Sequence, residues 1–270
     1  MFSVLILTLN EEKNLPRCLA SARGCDDVVV LDSGSTDRTV EIASNAGARV
    51  VHRRFDNFAD HRNFAQTSIP FPHPWVFHLD ADETLTPELI QECNAAGNRP
   101  DVDGYFVAPK MMFQGRWIPH CTDFPAYQAR FVAAPRFRFV QVGHGQREAP
   151  DMRMARLREN YLHDISAGGE DEWLEKHRRY ALHEAHAHLG NATAAPWKAL
   201  LTGPSLDRRR ALKRLSFHLP GRPWLRFIYQ YVARGGFLDG RPGLRYCRLL
   251  SMYEGFIAAE IRRLRKGREP

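Results

Sequence analysis

Two aspartates one residue apart, Asp80 and Asp82, close an apolar run that reads Trp75-Val-Phe-His-Leu-Asp80-Ala-Asp82-Glu83. Carboxylates at the exit of a buried parallel strand lie where open α/β sheets gather their ligands. Along an extended chain, residues i and i+2 turn to one side, so the pair is expected to share a face and suit one hard cation. An acidic loop ending a core strand would leave the same pattern.

The segments around this pair alternate. Residues 3–8, 27–31, 49–51 and 75–79 are short apolar runs of strand length. Between them, Leu15, Cys18, Leu19 and Ala22 fall at i, i+3, i+4 and i+7, with Asn14 as the expected N-cap and Pro16 in the first turn. Val40, Ala43 and Ala46 mark a second helix stopping at Gly47, with Asp37 as its first-turn acid, and residues 57–67 mark a third. Thr86-Pro87-Glu88 opens a fourth, ending near Gly97. Such alternation predicts an α/β fold with a mostly parallel sheet, helices on both faces and right-handed crossovers. From Asp103 to about Leu162 the texture becomes β-rich, with strands at 104–108, 130–132 and 137–140, and a strong helix follows over 171–189.

Several nucleotide-binding classes are absent. The first strand-to-helix turn has no glycine, so no G-x-G-x-x-G exists, and no G-x-x-x-x-G-K-[ST] occurs anywhere. A diphosphate bound here would lack a cradle of backbone amides and would need a cation, which Asp80 and Asp82 can hold. His183-Glu-Ala-His186-Ala-His188 is not an H-E-x-x-H zinc motif, because position 187 is alanine. Five scattered cysteines with no C-x-x-C argue against a zinc cluster or a disulfide framework and favour a reducing cytosol. No run reaches the ~20 apolar residues of a spanning helix, and the start reads as a strand, not a signal peptide.

Charge is unevenly placed. The net +7 hides 16 Lys and Arg against 5 Asp and Glu over residues 201–270, with 22 against 26 elsewhere. In that last quarter Arg208, Lys213, Arg214, Arg222, Arg226 and Arg234 interleave with Leu212, Phe217, Trp224, Leu225, Ile228 and Tyr231. The mixture suggests a segment lying on an anionic membrane, or a charged helical pair packed on the main domain. No nucleic-acid module is recognisable, so nucleic acid is not an expected partner.

Taken in order, Thr8-Leu-Asn10-Glu11-Glu12, Val-Val-Val-Leu-Asp32-Ser-Gly-Ser-Thr-Asp37, Arg62-Asn63-Phe-Ala65 and Asp80-Ala-Asp82 resemble the glycosyltransferase family 2 proteins of the GT-A fold. Gly115-Arg-Trp-Ile118, Gly143-His-Gly-Gln-Arg-Glu148, Leu162-His163 and Arg234-Gly-Gly-Phe-Leu-Asp-Gly240 look like the lipopolysaccharide-core β-glucosyltransferase branch. One departure is Phe124-Pro-Ala126-Tyr-Gln, where that branch has an acid at the alanine.

The resemblance implies a metal-dependent inverting transferase that uses a nucleotide sugar, with UDP favoured. The acceptor would be a glycan or lipid-linked precursor of the cell envelope, met by a peripheral protein on the inner membrane face. Thr8, Asn10, Glu11 and Asp32 would border the nucleotide, and Arg62 and Asn63 would reach sugar or phosphate unless they form a solvated helix face. Asp82 would be the principal Mg²⁺ or Mn²⁺ ligand, with Asp80 touching metal or ribose and His163 a further ligand. The base that takes the acceptor's proton is sought among Glu148, Asp123 and His144. Domain limits are expected at 1–200 for the transferase, divided near 100 into donor and acceptor halves, and at 201–270 for a basic extension. A sugar-1-phosphate nucleotidyltransferase would need a glycine-rich N-terminal loop that is absent. An inactive membrane-attached scaffold of the same fold is the other alternative, and the intact D-x-D argues against it.

Overall fold

A computed structural model of the chain describes residues 1–97, 99–142, 145–190 and 221–266. Two compact units emerge, Met1–Gly115 with Asp123–Ala167, and Arg116–Thr122 with Gly168–Pro270. The boundary expected near residue 200 falls outside the described residues, as do the basic positions 208–214.

The first unit opens as the alternation predicts. In order come β1 (Ser3–Thr8), α1 (Leu15–Ser21), β2 (Asp27–Asp32), α2 (Thr39–Asn45), β3 (Arg49–His52), α3 (Phe58–Ser68), β4 (Trp75–Asp80), β5 (Glu83–Thr84) and α4 (Pro87–Ala96). Then follow β6 (Gly104–Val107), β7 (Pro109–Phe113), β8 (Arg116–Trp117, assigned to the second unit), β9 (Gln128–Ala133), β10 (Phe139–Val142), β11 (Gly145–Glu148), β12 (Met154–Arg156) and β13 (Tyr161–Asp164). The main sheet runs β12-β6-β9-β4-β1-β2-β3. Its β4-β1-β2-β3 half is parallel, and β9 enters antiparallel to both β4 and β6.

Alternation along β4 sorts its side chains between two layers. Trp75, Phe77 and Leu79 join Leu15, Leu19, Ala43 and Leu89 in the larger core under α1, α2 and α4. Val76 joins Leu5, Leu31, Ala65 and Ile69 on the α3 side, the side that period 2 also assigns to His78 and Asp80. Helix α3 is capped by Asn57, whose side chain accepts from the Asp60 amide, and α4 by Thr86 in the same way from Leu89. Asn14 holds the expected N-cap position of α1 but makes no capping bond; its amide donates to Glu11 instead. Asp37 stands just ahead of α2, not in its first turn, and accepts from the Thr39 N–H.

In the second unit, α5 (Gly169–Gly190) packs Ala181 and Ala185 against Ile257 and Ile261 of α7 (Gly240–Lys266). Between them in sequence lie α6 (Arg222–Ile228), a π-helical turn (Tyr229–Ala233) and a 3₁₀ turn (Gly236–Asp239). Among the described residues no helix is long and apolar enough to cross a membrane.

Candidate functional site

At the carboxyl ends of β1 and β2, two loops are laced together. Asn10 takes a left-handed backbone (φ 57°), its Oδ1 accepts from the Thr36 amide at 2.8 Å, and its own amide donates to Ser35 Oγ at 2.8 Å. The Glu11 amide donates to Thr39 Oγ1. Asp32 is buried, and its carboxylate accepts from Thr8 Oγ1, the amides of Gly34 and Ser35, and Ser35 Oγ. Burial would raise its pKa, but these bonds outweigh it and hold it below the ordinary value. Thr8, Asn10, Glu11 and Asp32 are therefore brought to one rim, and Asp32 already serves its own turn there.

The strand-alternation argument for the aspartate pair does not extend to Asp82. Strand β4 ends at Asp80, and residues 81–82 turn before β5 begins. Each aspartate has its own partners. Asp80 Oδ1 accepts from Arg62 Nη2 at 2.6 Å and Oδ2 from Arg130 Nη2 at 3.0 Å. Asp82 Oδ2 lies 3.2 Å from His163 Nε2 on β13, which pairs with β5 in the register His163–Glu83.

Under Asp80 lies an ionic network whose members, apart from Arg62, the sequence did not single out. Arg130, almost fully buried, donates to Asp80, to Glu83 Oε1 at 2.7 Å, to the His78 carbonyl and to the Tyr161 hydroxyl. Glu83, equally buried, also accepts from the Asp80 amide at 2.8 Å. Burial would raise the Asp80 carboxyl, yet Arg130 and Arg62 hold it well below the usual carboxylate range. Glu83 goes the other way: burial pushes it up to about 7, against the pull of Arg130 and with the push of Asp80. His163 is raised, because the Asp82 bond and the neighbouring carboxylates overcome its burial. His78 is fully buried with neither ring nitrogen bonded, and burial followed by the Arg62 and Arg130 charges keeps it neutral. The available signals were an arginine and a histidine interrupting apolar strand runs, Arg130 and His78.

Arg62 is 1% exposed and is no solvated helix face. Its Nε and Nη1 are buried without a hydrogen-bond partner. The Asn63 amide grips β10 through both the N–H and the C=O of Phe139 at 2.9 Å each.

A cleft of about 560 Å³ opens over this network, lined by Phe58, Arg62, Asp80, Tyr127, Arg130, Phe139, Arg147, Glu148 and Arg156. Glu148 ends β11 in the β10–β11 hairpin, not in a flexed turn, and makes no side-chain hydrogen bond or ion pair among the described residues. Asp123 is exposed and is not among the residues that line the cleft. His144 lies outside the described residues.

A divalent cation fits the Asp82–His163 pair by donor chemistry, carboxylate oxygen with imidazole nitrogen. Among the described residues no three His, Cys, Asp or Glu side chains could hold a metal ion alone. The remaining ligands would have to come from a bound diphosphate.

Comparison with known proteins agrees with the motif order. The model of "Glycosyl transferase family 2" matches residues 3–144, more than half of the chain. The lipopolysaccharide core biosynthesis glycosyltransferase LpsC of Rhizobium meliloti is 33% identical over 131 residues, covering 42% of this chain and 48% of that protein. An uncharacterized glycosyltransferase of Rickettsia typhi is 33% identical over 117 residues, 42% of this chain and 39% of that one. The chain spans less than half the length of each of these relatives. Among solved structures, TarS of S. aureus aligns over 99% of this chain and 92% of its own at 16% identity and a TM-score of 0.45. Glucosyl-3-phosphoglycerate synthase of Mycobacterium tuberculosis, solved with Mn²⁺, UDP and glucosyl-3-phosphoglycerate, aligns over 42% and 44% at 22% identity and a TM-score of 0.35. With its mostly parallel sheet, its D-x-D at the exit of β4 and a family match over more than half its length, the chain belongs to glycosyltransferase family 2.

Proposed function

We propose that the chain is a metal-dependent inverting glycosyltransferase that moves a sugar from a UDP-sugar to a glycan or lipid-linked acceptor of the cell envelope. The observation that carries this reading is the division of labour at the end of β4. Asp82 meets His163 at 3.2 Å, while Asp80 is fixed by Arg62 and Arg130 on the floor of a cleft that also holds Glu148. Asp82 and His163 would hold Mg²⁺ or Mn²⁺, which when bound neutralises charge on the departing diphosphate. Thr8, Asn10, Glu11 and Asp32 form the rim that would meet the nucleotide.

In the transfer, the acceptor hydroxyl oxygen bonds to the anomeric carbon and the bond from that carbon to the diphosphate oxygen breaks. Glu148 takes the hydroxyl proton on its carboxylate. The Arg62 and Arg130 pairs keep Asp80 ionised and immobile, so the floor needs no rearrangement as charge develops. One relative named for lipopolysaccharide core biosynthesis supports the acceptor class. The basic C-terminal quarter supports peripheral attachment to an anionic membrane.

Calorimetry and turnover with UDP-sugars test the assignment. UDP binding should require Mn²⁺ or Mg²⁺ and vanish in Asp82→Asn. Glu148→Gln should bind UDP normally and lose transfer by at least about 100-fold. Near-normal turnover in Asp82→Asn would remove Asp82 from the metal, and full rate in Glu148→Gln would remove it as base.

A further inference from the structure

Helix α6 and the turn after it are built inside out. Their polar side chains face the unit's interior: Arg222 pairs with Glu254 at 2.7 Å, Gln230 donates to the Cys121 carbonyl, and Arg234 donates to the Thr122 carbonyl. These bonds fix the helix about its axis, so the opposite side cannot rotate inward. That side carries Trp224, Leu225, Ile228, Tyr229 and Val232, spaced i, i+1, i+4, i+5 and i+8 on one helical face. Trp224 is 73% exposed and the other four are 45 to 59% exposed. Phe237 and Leu238, in the next turn, are more than half exposed as well.

Seven large apolar side chains in 15 residues exceed the scattered exposure ordinary on a protein surface. The surrounding charge identifies what covers them. Between residues 221 and 266 there are ten Arg and Lys against three acids. Two of those acids, Asp239 and Glu254, are buried, so the exposed charge of α6 and α7 is mostly positive. On α7, Arg241, Arg245 and Arg248 fall on one exposed line, with Arg245 also paired to Glu170 of α5, and Arg263, Arg265 and Lys266 fill the last turn. A second copy of this unit would bring like charges together, whereas anionic headgroups complement them.

We propose that the outward face of α6 inserts into the headgroup–acyl boundary of an anionic bilayer, with Trp224 as its deepest anchor and Arg241 and Arg248 of α7 on the phosphates. This rests on the peripheral-membrane reading above and deepens it: attachment is by apolar insertion, not by charge alone.

Sedimentation of the full chain with sucrose-loaded vesicles, phosphatidylglycerol-containing against pure phosphatidylcholine, tests it. Binding should favour the anionic vesicles and survive partly in high salt. Lipids brominated on the acyl chain should quench tryptophan emission, and the quenching should disappear in Trp224→Phe. The double variant Ile228→Asp/Val232→Asp should lose binding by at least about tenfold, because two charges would have to enter the interface. Its unchanged thermal midpoint and UDP binding would show that the fold is intact. If this variant binds anionic vesicles as well as wild type and Trp224 is not quenched, insertion is overturned while electrostatic attachment stands. Absence of binding to any vesicle overturns both. A concentration-dependent dimer that the double variant abolishes, with no vesicle binding, would assign the face to a second copy and overturn the proposal.

Discussion

Replacing Arg130 by methionine removes one cation from a buried cluster of two arginines and two carboxyl groups, of which Glu83 is only partly ionised at neutral pH. Asp80 and Glu83 stand against Arg62 and Arg130, and all but Asp80, which is 34% exposed at the side chain, are nearly sealed from water. Arg130 contacts both carboxylates, at 3.0 and 2.7 Å. At an effective dielectric of about 20, each such pair gains roughly 5–6 kcal/mol, from which the cost of desolvating the guanidinium must be subtracted. Breaking a buried pair by deleting one partner typically costs about 3–5 kcal/mol, and loss of the bonds to Tyr161 and the His78 carbonyl places Arg130→Met toward the upper end. For a chain of this size that is on the order of 10 °C in thermal midpoint. Urea unfolding at neutral pH, followed by tryptophan fluorescence, measures it, since Trp75 stacks on Phe131 beside the deleted residue. The companion variant Arg130→Met/Glu83→Met removes the stranded carboxylate and should recover most of the loss, because apolar replacement of a whole buried pair is often neutral. A single variant within about 1 kcal/mol of wild type, or a double variant no more stable than the single, would refute the claim that this network holds its charges by mutual compensation.

Asp103 offers a pH-dependent test away from the cleft. It accepts from Arg153 through Nε, Nη2 and the backbone N–H, and it pairs with Arg136 at 3.0 Å. The Arg153 bonds, opposed by burial, hold its carboxyl well below the usual range. With both arginines about half exposed and screened, Asp103→Asn should cost about 2 kcal/mol at neutral pH. A depressed carboxyl stabilises the fold above its unfolded pKa of about 3.9 and loses that contribution as pH falls toward the folded value. The urea-midpoint gap between wild type and variant should therefore shrink below about pH 4, and an equal gap at pH 7 and pH 3 would contradict the ion-pair account. Gly104→Ala should destabilise by about 1–3 kcal/mol, since the new Cβ would sit 2.7 Å from Cε2 of the buried Phe137; an unchanged midpoint would mean that Phe137 yields freely.

How much of this was legible in the sequence depends on how local each signal is. The four alternating strands and helices were readable because periodicity and capping act within a few residues, as at Thr86-Pro87 and Asn57. Arg130 was not, because its role depends on β9 entering between β4 and β6, a choice of strand order that no local pattern encodes. It lies 50 residues from the Asp80 it serves. The type and spacing of Asp82 are legible, but its alignment with Asp80 requires a strand that in fact ends two residues before it. Asn63 shows another non-local signal: its amide holds the backbone of Phe139, a contact 76 residues away that no local pattern encodes. In α6 the apolar and basic residues were visible, yet periodicity alone does not say which side faces in. The bonds of Arg222 and Gln230 decide that.

These differences bear on how a D-x-D motif works on this scaffold. If both aspartates shared one ion, losing either should act in the same way, through the metal. Here Asp80 is tied to α3 by Arg62 and to β9 by Arg130, and it thereby joins a helix on one face of the sheet to an antiparallel strand within it. Asp82 lies in a turn with a histidine from β13 as its partner, and the other ring nitrogen of that histidine lies 3.8 Å from Glu83 Oε1. Among the described residues no arginine pairs with the Asp82 carboxylate, and an arginine there would compete with any cation for the same oxygens. The arginines neutralise Asp80, and the spacing of one residue lets the strand end between the two aspartates. On this geometry the first aspartate is tied into the floor of the cleft, while the second meets a histidine in the turn beyond it.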